Sequence, residues 1–182
     1  MKSNTIRNGK KAAGTQDAVT LLETEHEEAR ALLSTLAEST EDDVALREKT
    51  LTKLVTALRI HLTIEEEIFY PAFVAAQRTP EDAVMLKEAE TEHASAKSVF
   101  DQLEAADPSS TDFQAFAKVL HELVDHHAGE EEEEMFPRAK TLIDEETLME
   151  LGAQMAARRE ELEQRFSAKR PTKGSYESPT AR

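Results

Sequence analysis

The chain of 182 residues has no cysteine, and only five glycines and six prolines. Without cysteine it can form no disulfide, thiolate metal site, iron–sulfur cluster or cysteine nucleophile, so any bound metal must be held by histidine and carboxylate side chains. It also lacks an apolar run of the ~18 residues that a membrane span needs, and no apolar segment follows the basic N-terminus as in a secretory signal. We therefore expect a cytoplasmic protein with no membrane partner.

Basic side chains are also in deficit. There are 22 lysines and arginines against 37 aspartates and glutamates, which gives a formal net charge of −15 at pH 7. Such a chain repels a phosphate backbone, so we expect no nucleic-acid partner. Alanine, leucine, glutamate and lysine dominate instead, and together with the scarcity of glycine and proline they predict an all-α protein. The length suits a single domain with a substantial core.

Apolar residues recur at the three- and four-residue spacing of buried helix faces, which predicts five helices. They span roughly residues 17–38, 42–70, 80–106, 112–138 or beyond, and 145–166. Pro71 is expected to kink or end the second helix, and Pro137 to mark the end of the fourth. Because the first four helices are joined by short connections, neighbours should be antiparallel, as in an up-down-up-down four-helix bundle.

The domain organisation follows from these helices. Residues 16–141 should form the bundle, and residues 144–168 a C-terminal helix packed on it. Residues 1–15 are polar and are expected to be a flexible N-terminal arm. Residues 169–182 are rich in proline, serine and glycine, and are expected to be a disordered tail.

One segment of the sequence occurs twice. His61, with a glutamate four residues and a proline ten residues later, has a second copy at His127; the glutamates and prolines are Glu65, Pro71, Glu131 and Pro137. A histidine and a glutamate four residues apart project from one face of a helix, and both can ligate a transition metal. A single such pair would be interpreted as a solvated surface pair. Its duplication with matching flanks favours metal ligands.

The repeat extends to the first and third helices, where Glu-Thr-Glu-His ends at His26 and again at His93. The chain therefore consists of two copies of one helical hairpin. Pairing them around a pseudo-two-fold axis brings four histidines and two glutamates into one interior. Carboxylates can bridge two ions, and the remaining coordination positions are open to a small ligand. Such a donor set suits iron or manganese better than calcium.

The duplicated pattern of His, then His-x-x-x-Glu-Glu, then Phe-x-Pro or Phe-Pro resembles the hemerythrin-like, HHE cation-binding domain over about residues 17–140. The resemblance implies a four-helix bundle around a non-haem di-iron centre with an oxo, hydroxo or water bridge. It implies that two glutamates bridge the irons and that four histidines are terminal ligands. These residues are Glu65, Glu131, His26, His61, His93 and His127. Dioxygen, peroxide or nitric oxide would be the small ligand.

The chain departs from the oxygen-carrying members of that family. They have a second histidine four residues after the one on the third helix, where this chain has Lys97. They also have an aspartate five residues after the histidine of the fourth helix, where this chain has Glu131 at four. These differences favour oxygen or redox sensing, iron handling or stress protection over reversible oxygen carriage. A peroxidase- or oxidase-like side activity stays open, and no protein partner is indicated.

Glu23 and Glu90 lie three residues before His26 and His93. They either fix the histidine tautomers by hydrogen bonding or ligate metal directly, as in a ferritin-like di-iron oxidase or peroxidase. Arg30 and Lys97 follow the same histidines by four residues, and either pair with carboxylates of the site or extend into solvent. A metal-free helical interaction module is a third interpretation.

The acidic run after His127 is expected to form a solvated face through Glu130, Glu132 and Glu133. Glu134 replaces the Ile68 of the first copy, and a solvated position is expected for it as well. His121 and His126 lie away from the direction of His127 and are not predicted to be ligands.

Overall fold

A computed structural model describes residues 16–168 of the chain. Its helices, in chain order, are α1 (Ala18–Glu38), α2 (Val44–Ile64), α3 (Tyr70–Ala76), α4 (Pro80–Ala105), α5 (Thr111–Glu130), α6 (Phe136–Leu142) and α7 (Glu145–Ala168). Two π-helical turns, Glu65–Phe69 and Glu131–Met135, join α2 to α3 and α5 to α6. Residues 16–168 contain no β-strand. The predicted N-terminal arm and C-terminal tail lie outside the described residues.

The predicted four-helix bundle is confirmed. Helix α1 packs against α2 and α5, and α4 packs against the same two helices from the opposite corner. Helix α7 lies along α1 and α2, so the C-terminal helix covers one side of the bundle. None of the helices between residues 16 and 168 has the length and hydropathy to cross a membrane.

Helix α7 approaches the start of α1 closely at Gly152. A β-carbon built at this position would lie 2.7 Å from the carbonyl carbon of Asp17 and 2.9 Å from the amide nitrogen of Ala18. Only glycine allows the two backbones to approach this closely. Farther along α7, Arg158 forms ion pairs with Glu67 of the first π-helical turn, with a shortest distance of 2.8 Å. These contacts fix α7 against the half of the bundle that contains the π-helical turns.

Neither proline ends its helix, so of the two expectations for Pro71 the one that it ends the second helix is wrong, and Pro137 does not mark the end of the fourth. The chain remains helical past Pro71 to Ala76 and past Pro137 to Leu142. The amide of Tyr70 donates to the carbonyl of Glu65, five residues back, in place of the usual four. This wider turn lies directly before the proline, which has no amide proton to donate, and so the helix continues through it. Both wide turns begin at a predicted bridging glutamate.

Two apolar clusters fill the bundle at different heights. One contains Leu22, Ile64, Phe69, Phe136 and Met155, and the other contains Leu33, Leu54, Leu103, Phe113 and Leu120. Along the chain, His26 and His93 each lie between residues of the two clusters, and His127 lies between Val124 of the second cluster and Met135 of the first. The metal-ligand candidates therefore occupy a polar layer enclosed on both sides by apolar packing.

Arg47 is a fully buried charged residue at the end of the bundle farthest from the π-helical turns. Its guanidinium donates to the side chain and the carbonyl of Ser39 at 2.7 and 2.9 Å, and to the carbonyl of Pro108 at 2.7 Å. It also lies over the ring of Phe113, 5.1 Å from the centroid. One side chain thus connects the end of α1 to the loop before α5.

Replacing Arg47 with methionine is expected to destabilise the protein by about 3 kcal/mol, because it removes the hydrogen bonds of a buried guanidinium to Ser39 and leaves the partly buried carbonyl of Pro108 without its donor. Urea unfolding followed by circular dichroism measures this change. Arg59→Met is the control, since Arg59 is half-exposed and makes one ion pair, with Glu104 at 2.6 Å. That substitution should cost less than about 0.5 kcal/mol. Equal losses in the two variants would contradict a structural role for Arg47.

Candidate metal centre

The six predicted ligand residues lie together in the polar layer of the bundle. The histidines come from four different helices and the glutamates from the first positions of the two π-helical turns. None of the six is more than 6% exposed. The helical-hairpin repeat therefore brings together the residues that the sequence pattern singled out.

The six side chains form two groups that share carboxylates. Ligand atoms of His26, His61 and Glu65 lie within 4.8 Å of one another, as do those of Glu65, His93 and His127. Oε2 of Glu65 is 3.2 Å from Nε2 of His61 and 3.3 Å from Nε2 of His93.

Glu131 lies between the other two histidines, one from each group. Its Oε2 is 3.4 Å from Nε2 of His26 and 3.5 Å from Nε2 of His127. Each carboxylate thus lies between one histidine of the first hairpin and one of the second. This is the position of a ligand that bridges two ions.

A second layer of carboxylates surrounds the histidines. The Nδ1 atom of each histidine is 2.9–3.2 Å from a glutamate oxygen, in the pairs His26–Glu132, His61–Glu25, His93–Glu66 and His127–Glu92. A carboxylate at Nδ1 holds the ring proton there, so Nε2 is left as an unprotonated lone pair directed into the centre. In the sequence, each of these glutamates is the immediate neighbour of a predicted ligand.

Each second-layer carboxylate also contacts a basic side chain. The pairs are Glu132–Arg30 at 2.8 Å, Glu66–Lys97 at 2.5 Å, Glu25–Arg159 at 3.0 Å and Glu92–His126 at 3.3 Å. Burial raises the pKa of Glu66, but hydrogen bonds from Lys97 and His93 outweigh it and hold the pKa below its ordinary value. The alternative left open for Arg30 and Lys97 is therefore resolved: both pair with carboxylates of the site.

The structure corrects three expectations about glutamates. Glu23 lies 4.0 Å from Lys140, and Glu90 accepts a hydrogen bond from Lys87, so neither carboxylate reaches a histidine of the cluster. Glu132, expected on a solvated face, contacts His26 instead. The reason is that each imidazole points across the bundle, so its Nδ1 is met by a glutamate from a neighbouring helix.

The centre contains buried hydrogen-bond acceptors that have no donors. Within residues 16–168, four buried side-chain atoms have no hydrogen-bond partner: Nε2 of His26, both carboxylate oxygens of Glu65, and Oε2 of Glu131. The Nε2 atoms of His93 and His127 face each other at 2.9 Å. Buried lone pairs and carboxylates at these distances repel one another unless a cation or protons lie between them. The donor set fits a metal.

The two central carboxyl groups titrate differently. Burial, and next the charge of Glu131, raise the pKa of Glu65 well above its ordinary value. Burial acts in the same direction on Glu131, but His26 and His127 outweigh it and lower the pKa of Glu131 to about 2. The metal-free centre therefore favours one protonated and one ionised glutamate.

Tyr70 belongs to the centre, and sequence reasoning missed it. Its hydroxyl donates to Oε1 of Glu131 at 2.8 Å and lies 3.2 Å from Nε2 of His93. Burial, followed by the charges of Glu65 and Glu131, raises the pKa of this phenol, so it stays neutral. The second copy has Phe136 at the equivalent position, stacked 5.7 Å from the ring of His26. This tyrosine-to-phenylalanine difference between the repeats was visible in the sequence.

Tyr70→Phe is expected to destabilise the metal-free protein by about 1–2 kcal/mol, because Oε1 of Glu131 loses its donor in a buried position. Urea unfolding of the metal-free protein measures the change, and metal analysis of the same variant should still give the wild-type content. A variant as stable as wild type would show that the hydroxyl does not support Glu131.

A small cavity adjoins the four histidines on the side of the second apolar cluster. Its volume is about 20 Å³, sufficient for one water-sized molecule. Besides the histidines and Lys97, its walls are apolar: Ala29, Leu58, Leu62, Ala96, Phe100, Leu120 and Val124. A small uncharged molecule in this cavity would lie directly against the metal-ligand candidates.

A helical bundle with a histidine and carboxylate cluster in its core defines a class of metal-binding proteins. Residues 17–139 match the Hemerythrin HHE cation binding domain, and the chain belongs to that family. The chain is also similar to a crystal structure from Mycobacterium kansasii, described as a hemerythrin HHE cation binding domain-containing protein and Rv2633c homolog. The identity is 26% and the TM-score 0.73, with 88% of this chain and 95% of that chain covered. No curated protein matches the chain.

Proposed function

We propose that the chain is a non-haem di-iron-binding protein that interacts with a small ligand such as dioxygen, peroxide or nitric oxide. Its role would be oxygen or redox sensing, iron handling or stress protection. The main support for this proposal is that imidazole nitrogens and carboxylate oxygens converge in the interior of the bundle, where they have no hydrogen-bond donors between them. Family membership supports cation binding independently.

The grouping of the ligand atoms supports two ions in preference to one. His26 and His61 would hold one ion, His93 and His127 the other, and Glu65 and Glu131 would bridge them. Imidazole and carboxylate donors suit iron, and six protein ligands leave coordination positions free on two ions. Those positions would bind the small ligand and supply its redox chemistry.

The surroundings of the centre support a small ligand. Apart from the four histidines and Lys97, which pairs with Glu66, the adjoining cavity is walled by apolar side chains, and these favour uncharged diatomic molecules over anions. Apolar packing on both sides of the layer excludes bulk water and so strengthens the electrostatic interactions inside it. The neutral hydroxyl of Tyr70 is a fixed hydrogen-bond donor within this layer, and it holds its proton toward Glu131.

Metal analysis of the purified protein tests the proposal, after anaerobic loading of the metal-free chain with Fe²⁺. We expect about two irons per chain, in keeping with a carboxylate-bridged pair. Stopped-flow mixing of the loaded protein with oxygen, peroxide or nitric oxide should change its absorption. Absence of stoichiometric iron, together with unchanged thermal stability in His61→Ala, would instead support a metal-free helical interaction module.

A further inference from the structure

The pseudo-two-fold symmetry of the bundle is broken on its outer surface. Superposing the repeats by their histidines pairs four apolar residues of the first hairpin with four polar residues of the second. The pairs are Leu21 with Glu88, Ile60 with His126, Ile64 with Glu130, and Ile68 with Glu134. The four apolar residues pack in the cluster that includes Leu148, Leu151 and Met155 of α7. The four polar residues are exposed. We call the latter the acidic face.

The acidic face leads inward to the metal centre. A small pocket between α4 and the second π-helical turn is lined by Glu88, Glu130 and Glu134 at the surface and by Glu92 and Glu131 farther in. Glu131 is only 1% exposed, and its Oε2 has no hydrogen-bond partner. Carboxylates thus line this pocket from the solvent-exposed surface to a proposed metal ligand.

Two carboxylates of this pocket, together with His126, are arranged to bind a cation. Nε2 of His126 lies 3.3 Å from carboxylate oxygens of both Glu92 and Glu130, and all three ligand atoms lie within 4.8 Å of one another. The second oxygen of Glu92 is 2.9 Å from Nδ1 of His127. One carboxylate therefore contacts both the outer group and the metal centre.

The opposite side of the bundle offers no equivalent route for a cation among residues 16–168. A cleft of about 400 Å³ there reaches His61 and is lined by Glu25, Glu28 and Glu163, but also by Lys53 and Arg159. Arg159 pairs with Glu25 and Glu163, each at 3.0 Å, and lies 3.9 Å from Glu28, so it occupies the carboxylate equivalent to Glu92 and its two acidic neighbours. Positive charges at this position repel a divalent ion, whereas the acidic face attracts one.

We propose that Glu92, His126 and Glu130 form a transient capture site for Fe²⁺, and that the acidic face delivers the ion through Glu131 to the buried centre. The inference rests on the proposed function, since it presupposes that the centre holds metal. It further identifies the side of the bundle from which the metal enters. A helix packed on the acidic face would block this entry, which is a reason why α7 covers only the other of the two related faces.

The test is the rate at which metal-free protein takes up Fe²⁺ anaerobically, measured by stopped-flow with a competing chromophoric chelator. Glu88→Gln/Glu130→Gln should load roughly 10-fold more slowly than wild type, because electrostatic steering at a charged cleft changes association rates by that order. Glu27→Gln/Glu48→Gln is the matched control, since it removes the same charge from exposed positions on α1 and α2 and should load at the wild-type rate. All three proteins should reach the same final iron content.

Other results of this experiment distinguish a failure of the capture site from a failure of the proposed di-iron function. Equal loading rates in the two double variants would overturn the capture site and leave the proposed function intact, provided that wild type still reaches its full iron content. A lower final content in Glu88→Gln/Glu130→Gln would also overturn it, because the residues would then be ligands and not a route. Wild-type protein that takes up no iron would overturn the proposed function and the capture site together.

Discussion

His127→Ala is expected to lower the iron content of the protein to about half or less, because it removes one of two imidazoles from one of the proposed ion positions. His127 is 6% exposed, its Nε2 faces Nε2 of His93 at 2.9 Å, and Glu92 holds its Nδ1. Metal analysis after anaerobic loading measures the effect. Circular dichroism of the metal-free variant establishes that the bundle remains folded.

His121→Ala is the control for this experiment. His121 lies on the same helix, but none of the metal-capable groups found within residues 16–168 includes it. Iron content in this variant should equal that of wild type. Equal losses in the two variants would contradict the register of α5 on which the site depends.

Glu65→Gln is expected to have opposite effects on metal binding and on stability. Iron binding should be lost almost completely, since the substitution removes the carboxylate that we propose to bridge the two ions and that contacts a histidine of each pair. The metal-free variant should nevertheless be more stable than metal-free wild type by about 1–3 kcal/mol. Glutamine keeps the shape of the side chain, supplies a donor to the surrounding lone pairs, and is neutral without having to take up a proton.

The pH dependence of that difference follows from the raised pKa of Glu65. The folded protein binds this proton more tightly than the unfolded chain. The stability that this proton contributes to metal-free wild type is therefore fully present below the ordinary pKa of 4.5. This contribution to stability is lost as the pH rises through the raised pKa of Glu65. The stability advantage of Glu65→Gln should therefore grow as the pH rises above 4.5, as urea unfolding would show. A variant less stable than wild type at neutral pH would contradict the description of the metal-free centre.

The helical repeat accounts for how much could be predicted from the sequence. Because the two copies share their spacing, the repeat alone was sufficient to place His26, His61, His93 and His127 in one interior. The glutamates four residues after His61 and His127 followed from helical periodicity. The fold and these six positions depend on local spacing, which a sequence displays directly.

The remaining features depend on contacts between helices, which spacing along one helix does not reveal. Glu25 and Glu92 meet histidines of neighbouring helices, whereas periodicity within one helix had favoured Glu23 and Glu90. Arg159 reaches Glu25 from a helix more than a hundred residues later in the chain. The π-helical turns were missed because a proline inside a helical pattern ordinarily indicates an end. Here a π-helical turn supplies the backbone hydrogen bonds before each proline, so the helix continues.

Anomalous diffraction at the iron absorption edge from crystals of the iron-loaded protein tests the proposed di-iron centre most directly. We expect two anomalous peaks in the polar layer, one beside His26 and His61 and one beside His93 and His127. Glu65 and Glu131 should lie between the peaks and contact both. A single peak, or iron bound by Glu23 or Glu90, would contradict a carboxylate-bridged pair held by these six residues.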